Sequence, residues 1–336
     1  MFKNKSLLVT GGTGSFGKAF IKKLLKSKYK FKKIIIFSRD ELKQHEMKLS
    51  KDFNEKKYKQ LRYFIGDIRD EERLNFALRE VDYVVHAAAL KQVPTGEYNP
   101  FEFIKTNILG AQNIITASIK NNVKKVIALS TDKAVSPVNL YGATKLCSDK
   151  LFLSSNNVVG KQNISFSVVR YGNVTGSRGS VFPAFAKQKL KKEFLITDKN
   201  MTRFNISLLD SVEMVIWSLK NTIGGEIVVP KISSYKILDL AKAIDNNAKI
   251  KLVGIRQGEK IHEELISKAD NLYTYDIGKY YLVFQNDNKK LINFYLKKFK
   301  AKKTDESFVY TSDSNNKFLK IKDLKSLFLK FKENLQ

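Results

Sequence analysis

Tyr141 and Lys145 are the residues around which a chemistry can first be written. Four apart in the run LYGATK, they share one face of a helix. An ammonium beside a phenol favours the phenolate and lowers the tyrosine pKa from about 10. A tyrosine tuned this way exchanges a proton with a sugar or alcohol hydroxyl near neutral pH. In so lysine-rich a chain the spacing alone would also fit a solvated helix face. Its company argues for chemistry: Ser130, Thr131, Asp132 and Lys133 stand just upstream, after the apolar run VIAL at 126–129. That run reads as a buried parallel strand, and open α/β sheets bind ligands at such carboxyl ends.

The elements that must position these residues begin at the N-terminus. A short apolar strand at 7–10 runs into GGTGSFG and then an amphipathic helix at 18–25, the context that a dinucleotide-binding turn requires. Gly11 and Gly14 let the backbone turn tightly beside a pyrophosphate, and Gly17 lets the helix pack on the sheet. Thr13, Ser15 and Phe16 complete that cradle, with helix N–H groups holding the phosphates. The second strand, 33–37, ends in Ser38-Arg39-Asp40-Glu41. Ser38 and Arg39, with Lys43 nearby, suit a 2′-phosphate and favour NADP, although an acid such as Asp40 can instead serve the free ribose of NAD.

A third strand at 62–65 brings Asp67 and Ile68 beside the adenine. A fourth at 83–86 leads into Ala87, Ala88 and Ala89, small residues that a cofactor can approach. Lys91 follows, either as a substrate contact or as a solvated lysine. His86 reads as a packed residue rather than a catalyst. One helix is expected at 99–121, with Pro100 in its first turn. A sixth strand is expected at 164–170, a helix at 206–220 and a last strand at 226–229. A surface helix or loop follows near 288–303, and an amphipathic helix at 324–335. The alternation implies a Rossmann-type, doubly wound parallel sheet with a smaller α/β substrate-binding domain. The Gly/Ser-rich GSRGSVFP marks the boundary: 1–173 and 206–230 form the NADP-binding domain, 174–205 and 231–336 the nucleotide-sugar-binding domain.

Composition narrows the class. Of the 336 residues 43% are apolar and 28% charged, ordinary values for a globular protein. One cysteine, Cys147, excludes an internal disulfide framework, and three histidines without ligand spacing give no case for a metal. Without a signal peptide or a spanning apolar run, cytoplasm is the default and no membrane is expected. The formal charge of +28 invites a nucleic-acid reading. Yet the lysines are scattered among Asn and Glu, and no binding motif is present, so no nucleic-acid partner is expected. Only nine of the 61 basic residues are Arg, which makes Arg203 in MTRF and Arg256 in IRQGEKIHEE informative. A planar, bidentate guanidinium at either place suits a substrate diphosphate.

With TGGTGSFG, YGATK and RYGNV in one chain, the sequence resembles the extended short-chain dehydrogenases that act on nucleotide sugars. FSRDELKQ, GDIRDEERL, HAAALKQVP, STDKA, GSRGSV, MTRF and GEKIHEE sharpen the resemblance to the inverting UDP-N-acetylglucosamine 4,6-dehydratases. The branch is the one that opens pseudaminic acid synthesis for flagellin glycosylation. The likeness runs from residue 1 to about 265 and weakens beyond.

This resemblance implies a cycle. Tyr141, helped by Lys145, takes the carbon 4 hydroxyl proton while hydride passes to NADP⁺. Lys133 removes the carbon 5 proton, Asp132 protonates the departing carbon 6 hydroxyl, and hydride returns to carbon 6. Reprotonation of carbon 5 from the opposite face gives a 4-keto-6-deoxy-L-sugar nucleotide. Such a cycle asks for a partly neutral Lys133 and a partly protonated Asp132. The resemblance further implies Thr131 near the sugar, Asn173 and Arg256 near the diphosphate, Glu259 near the uridine ribose, and a homo-oligomer. A retaining dehydratase or a 4-epimerase of a UDP-sugar is the alternative among enzymes. A non-catalytic NADP-binding sensor is the alternative outside them, and such a sensor has no need of Asp132, Lys133, Tyr141 and Lys145 together.

Overall fold

The computed structural model describes residues 2–54, 56–177 and 179–333. Arg178 of the GSRGSV run and Leu335, the expected end of the last helix, lie outside the described residues.

Six apolar runs form parallel strands: β1 (Ser6–Thr10), β2 (Lys33–Ser38), β3 (Leu61–Ile65), β4 (Tyr83–His86), β5 (Lys125–Thr131) and β6 (Ser165–Tyr171). They lie in the order β3-β2-β1-β4-β5-β6, and Glu226–Pro230 continues the sheet in parallel beyond β6. Near-continuous apolar strands are what a sheet covered by helices on both faces demands. The order reverses between β1 and β4, and there a crevice opens at the carboxyl ends of the strands. Registers bring those ends level: Thr10 faces His86, and Thr131 faces Tyr171.

The expected last strand is not the last. Glu226–Pro230 pairs antiparallel with Tyr280–Phe284, which pairs with Thr274–Asp276, which in turn pairs with Lys302–Lys303. Residues 274–303, expected in the smaller unit, therefore extend the large sheet. The physical reason is the edge itself. All five residues of Glu226–Pro230 are buried, so that edge needs a partner strand. The lysine-rich segment is also more than a surface helix, because Lys289–Phe299 buries Leu291, Ile292 and Tyr295 in the main core.

A separate apolar cluster forms around Phe182, Phe194, Tyr235, Leu240 and Phe328. It is built where the helices Val181–Lys189, Ile237–Ile244 and Ile321–Glu333 meet the paired strands Glu193–Ile196 and Lys249–Leu252. The long helix expected at 99–121 is interrupted. Pro100–Phe103 and Gly110–Lys120 are α-helical, and Ile104–Leu109 between them is a π-helical stretch. Such a stretch re-aims side chains. Here it turns Asn107 inward, where its amide donates to Thr144 and to the Leu90 carbonyl. No described helix is long and apolar enough to cross a membrane.

Candidate active site

The crevice holds a cavity of about 570 Å³ that reaches from the glycine turn to Tyr141. Gly11 has φ +64°, a left-handed value that side chains disfavour. A Cβ on Gly17 would lie 2.5 Å from the Gly12 Cα, so only glycine lets the helix Ser15–Leu25 close on the turn. No side chain caps that helix at Gly14, which leaves its first N–H groups open to the cavity. Thr13, Ser15 and Phe16 line the same wall, as do Ala87, Ala88 and Ala89.

At the β2 end, Ser38 Oγ is 3.0 Å from Thr13 Oγ1, and Arg39 Nη1 is 3.6 Å from Asp67. Asp40 caps the helix Glu41–Leu49 by accepting from the Lys43 N–H, and its carboxylate also pairs with the Lys43 ammonium. The Asp40 carboxyl is thereby held below the usual carboxylate range, chiefly by Lys43. Asp67 also receives Arg69, and Ile68 lies beside it in the wall.

At the far end stand the residues from β5. Thr131 caps a short turn, Asp132–Ala134, and Asn139 caps the helix Leu140–Ser154 by accepting from the Gly142 N–H at 2.8 Å. Tyr141 and Lys145 sit on the inner face of that helix, both buried. Asp149, a turn further on, is buried too. It accepts from Ser130 Oγ at 2.6 Å and lies 3.9 Å from Arg170, whose guanidinium also reaches Asp270 at 2.7 Å. Residues 141, 145 and 149 fall at a four-residue spacing, a signal in the sequence that went unused.

Electrostatics correct two expectations. Burial pushes the Tyr141 phenol up to about 12, although the Lys133 charge and a hydrogen bond with Thr131 both oppose it. Burial also pulls the Lys145 ammonium below its ordinary value. In this structure Tyr141 is therefore a phenol, and the nearby cation that favours its phenolate is Lys133.

The second correction concerns Lys133. Its ammonium donates to Asp132 Oδ1 at 3.0 Å and to Asn173 Oδ1 at 3.2 Å, and lies 3.2 Å from Glu263 Oε1. Burial alone would lower its pKa, but the two carboxylates outweigh burial and raise it. Lys133 is thus charged here, not partly neutral. Asp132 is fully buried, with Thr131 Oγ1 donating to its Oδ1 and no hydrogen-bond partner for Oδ2 among the described residues. Burial raises its pKa, the direction expected of a proton donor.

The expected substrate contacts divide. Lys91, Thr131 and Asn173 line the cavity. Asn173 touches Lys133 rather than standing apart at a diphosphate site. Arg203 lines no part of that cavity. It is 8% exposed and donates to the carbonyls of Thr202 and Ile261, with Glu263 3.5 Å away. Its fork is spent inside the protein because β-pairing of Thr202–Ile206 draws it there. Arg256 is exposed on a loop, its N–H donating to Glu259, and both lie outside the cavity wall. Gly258 in that loop accepts from Asn139, which ties it to the start of the Tyr141 helix. Glu263 was missed as a site residue, although the GEKIHEE run contains it.

A doubly wound sheet, a glycine turn after β1 and a helix carrying Tyr141 and Lys145 on one wall define an extended short-chain dehydrogenase/reductase. Comparison with known proteins agrees. The polysaccharide biosynthesis protein family matches residues 7–285. A Campylobacter jejuni protein named UDP-N-acetylglucosamine 4,6-dehydratase (inverting) is 53% identical over 330 residues, 96% of this chain and 97% of that one. A Rickettsia akari protein named UDP-glucose 4-epimerase is 46% identical over 290 residues, 84% of each chain. The X-ray structure of Pen from Bacillus thuringiensis superposes with a TM-score of 0.86 at 35% identity, covering 100% of both chains. The chain belongs to the polysaccharide biosynthesis protein family.

Proposed function

We propose that this protein is an NADP-dependent UDP-N-acetylglucosamine 4,6-dehydratase that inverts carbon 5. The observation that carries the reading is one juxtaposition. Lys133 and Tyr141 share one wall of the cavity that begins at the glycine turn, and Asp132 lies buried behind that wall, 3.0 Å from the Lys133 ammonium. The open helix N-terminus and the close approach at Gly17 suit a dinucleotide pyrophosphate. When bound, an oxidised nicotinamide supplies the hydride acceptor and a positive charge that further favours the Tyr141 phenolate.

The protein's own groups divide the remaining work. Tyr141 takes the proton of the carbon 4 hydroxyl, and Lys145 and Thr131 hold it in place. Lys133, once its ammonium has lost a proton, removes as the free amine the proton that the carbon 4 ketone has acidified on carbon 5. Asp132, buried and with a raised pKa, gives a proton to the carbon 6 hydroxyl as it leaves. Lys91 and Asn173 bound the sugar side of the cavity, and the resemblance supports Arg256 and Glu259, on their loop outside this wall, as contacts of the nucleotide.

Three observations support NADP: Ser38 and Arg39 line the cavity, Asp40 is occupied as a helix cap, and Lys43 flanks it. The resemblance to the pseudaminic branch supports placing the product at the head of pseudaminic acid synthesis for flagellin glycosylation.

The Rickettsia relatives favour a second reading, 4-epimerisation. An epimerase only oxidises and re-reduces carbon 4, which gives no work to an acid and an amine poised for carbons 5 and 6. Incubation with UDP-N-acetylglucosamine and NADP⁺ separates the two. A 4-keto-6-deoxy product is expected, and UDP-N-acetylgalactosamine as sole product would replace this reading with epimerisation.

A further inference from the structure

Glu263 is a buried carboxylate with no assigned role, and it arrives at Lys133 from far along the chain. It lies just before the strand Glu264–Ile266 and is 3% exposed. Its backbone is fixed on both sides. The Glu263 N–H donates to Ser312 Oγ at 2.9 Å, and the Ser312 N–H donates to the Glu263 carbonyl at 2.8 Å. Ser312 Oγ is in turn 2.6 Å from Thr202 Oγ1, so three separate segments hold the position. From there Oε1 reaches Lys133 at 3.2 Å and Arg203 at 3.5 Å, while Oε2 has no hydrogen-bond partner among the described residues.

A pairing this specific is costly unless it is used, because burying a carboxylate is repaid only by good partners. We propose that Glu263 is a positioning residue for the reaction: it holds the Lys133 amine beside Asp132 and governs its proton. The proposal rests on the dehydratase reading above. Lys133 is a long, flexible side chain, and its amine must point at one carbon from one face. Asp132 is its sequence neighbour and cannot alone fix the direction. Glu263 and Asn173, from other elements, complete a three-point hold.

The same contact sets basicity. Lys133 is faced by Asp132, Glu263 and Arg203, with Lys91, Tyr141 and Tyr235 further around it. Glu263 is faced by Lys133, Arg203 and Lys260. Of the two acids, Asp132 has a raised pKa from burial, whereas Lys133 and Arg203 together hold Glu263 below the usual carboxylate range. Asp132 and Glu263 both favour the Lys133 ammonium, and Glu263 is the one that stays ionised when Asp132 carries a proton. An amine so supported gains more by accepting the carbon 5 proton, and needs a higher pH to become free.

The test is the pH dependence of dehydration and of carbon 5 hydrogen–deuterium exchange, compared for wild type, Glu263→Gln and Glu263→Asp. Glu263→Gln is expected to lower kcat at least tenfold with KM changed less than threefold. It should also move the acidic limb of the kcat profile down by about one pH unit, as removal of one neighbouring charge requires. Glu263→Asp keeps the charge with a shorter reach, so its limb should stay within a few tenths of a unit of wild type while kcat falls. Should the glutamine variant fail to fold, the aspartate profile against wild type still decides. A uniform fall in kcat with an unmoved limb in the glutamine variant, or a limb displaced by a full unit in the aspartate variant, overturns the proposal. Wild-type protein that forms no 4-keto product would instead remove the dehydratase reading itself.

Discussion

Gly142 presses against the Lys133 carbonyl so closely that a Cβ there would lie 2.1 Å from the oxygen. The contact joins the two halves of the site. It seats the helix bearing Tyr141 and Lys145 directly on the turn bearing Asp132 and Lys133. Gly142→Ala must therefore push the helix and the turn apart. A destabilisation of about 1–3 kcal/mol is expected, the usual scale of overpacking. Dehydratase activity should fall by more than tenfold, because positioning tolerates little displacement. Chemical denaturation and a product assay check both; a variant with wild-type stability and turnover would show that the contact does not set the geometry.

Tyr141→Phe removes the proton acceptor for the first oxidation and leaves the buried ring in place. Cofactor and substrate should still bind, with 4-keto product reduced to a trace. Turnover at the wild-type rate would mean that another group begins the cycle.

Arg39→Ala should weaken NADP by roughly 1.5–3 kcal/mol, the scale of a hydrogen bond to a charged group, and leave NAD nearly unchanged. Arg39 lies on the cavity wall beside Asp67, while Asp40 is turned to its helix and to Lys43. Titration with each cofactor measures the difference. Equal losses for both would show that Arg39 does not read the 2′-phosphate.

His86 supplies a pH dependence of stability that is independent of catalysis. Burial, with the Lys145 charge adding to it, pushes the ring down to about 3, and its Nδ1 lies 2.9 Å from Thr10 Oγ1. In the unfolded chain the ring titrates near 6.5. Above that pH both states are neutral and the full stability is present. As pH falls from 6.5 toward 3, the unfolded chain takes up a proton that the folded chain refuses. Stability is then lost at about 1.4 kcal/mol per pH unit from this one group. Melting temperatures at pH 7 and pH 5 should differ less in His86→Gln than in wild type. An identical difference in both would mean that the ring is protonated in the folded state.

Much of this arrangement was legible in the chain because it is local. Strand, glycine turn and helix follow one another within residues 6–25, and the stretch Ser130 to Lys145 carries acid, amine and phenol on adjacent elements. What escaped is what distance decides. Glu263 meets Lys133 across 130 positions, and nothing in GEKIHEE distinguishes its buried carboxylate from the half-buried Glu259. Arg203 looked like a diphosphate ligand because arginines are scarce, yet pairing of its strand turned it inward. The added strands at 274–303 escaped for another reason. They cover an edge, and the need for a cover is a property of Glu226–Pro230 rather than of the segment that supplies it. Burial raises the Tyr141 pKa, so the spacing of Tyr141 and Lys145 alone gave the phenol the wrong direction. Asp132 with the distant Glu263 raises the pKa of Lys133, which the implied cycle asks to be partly neutral.

The central claim is dehydration with inversion at carbon 5, and proton NMR of the earliest product formed in D₂O tests it most directly. With UDP-N-acetylglucosamine and NADP⁺, the account predicts the L-arabino 4-keto-6-deoxy sugar nucleotide. One solvent deuteron should be fixed at carbon 5, and that proton signal should be missing. A D-xylo product at the earliest time points, or one that keeps its carbon 5 proton, would contradict it.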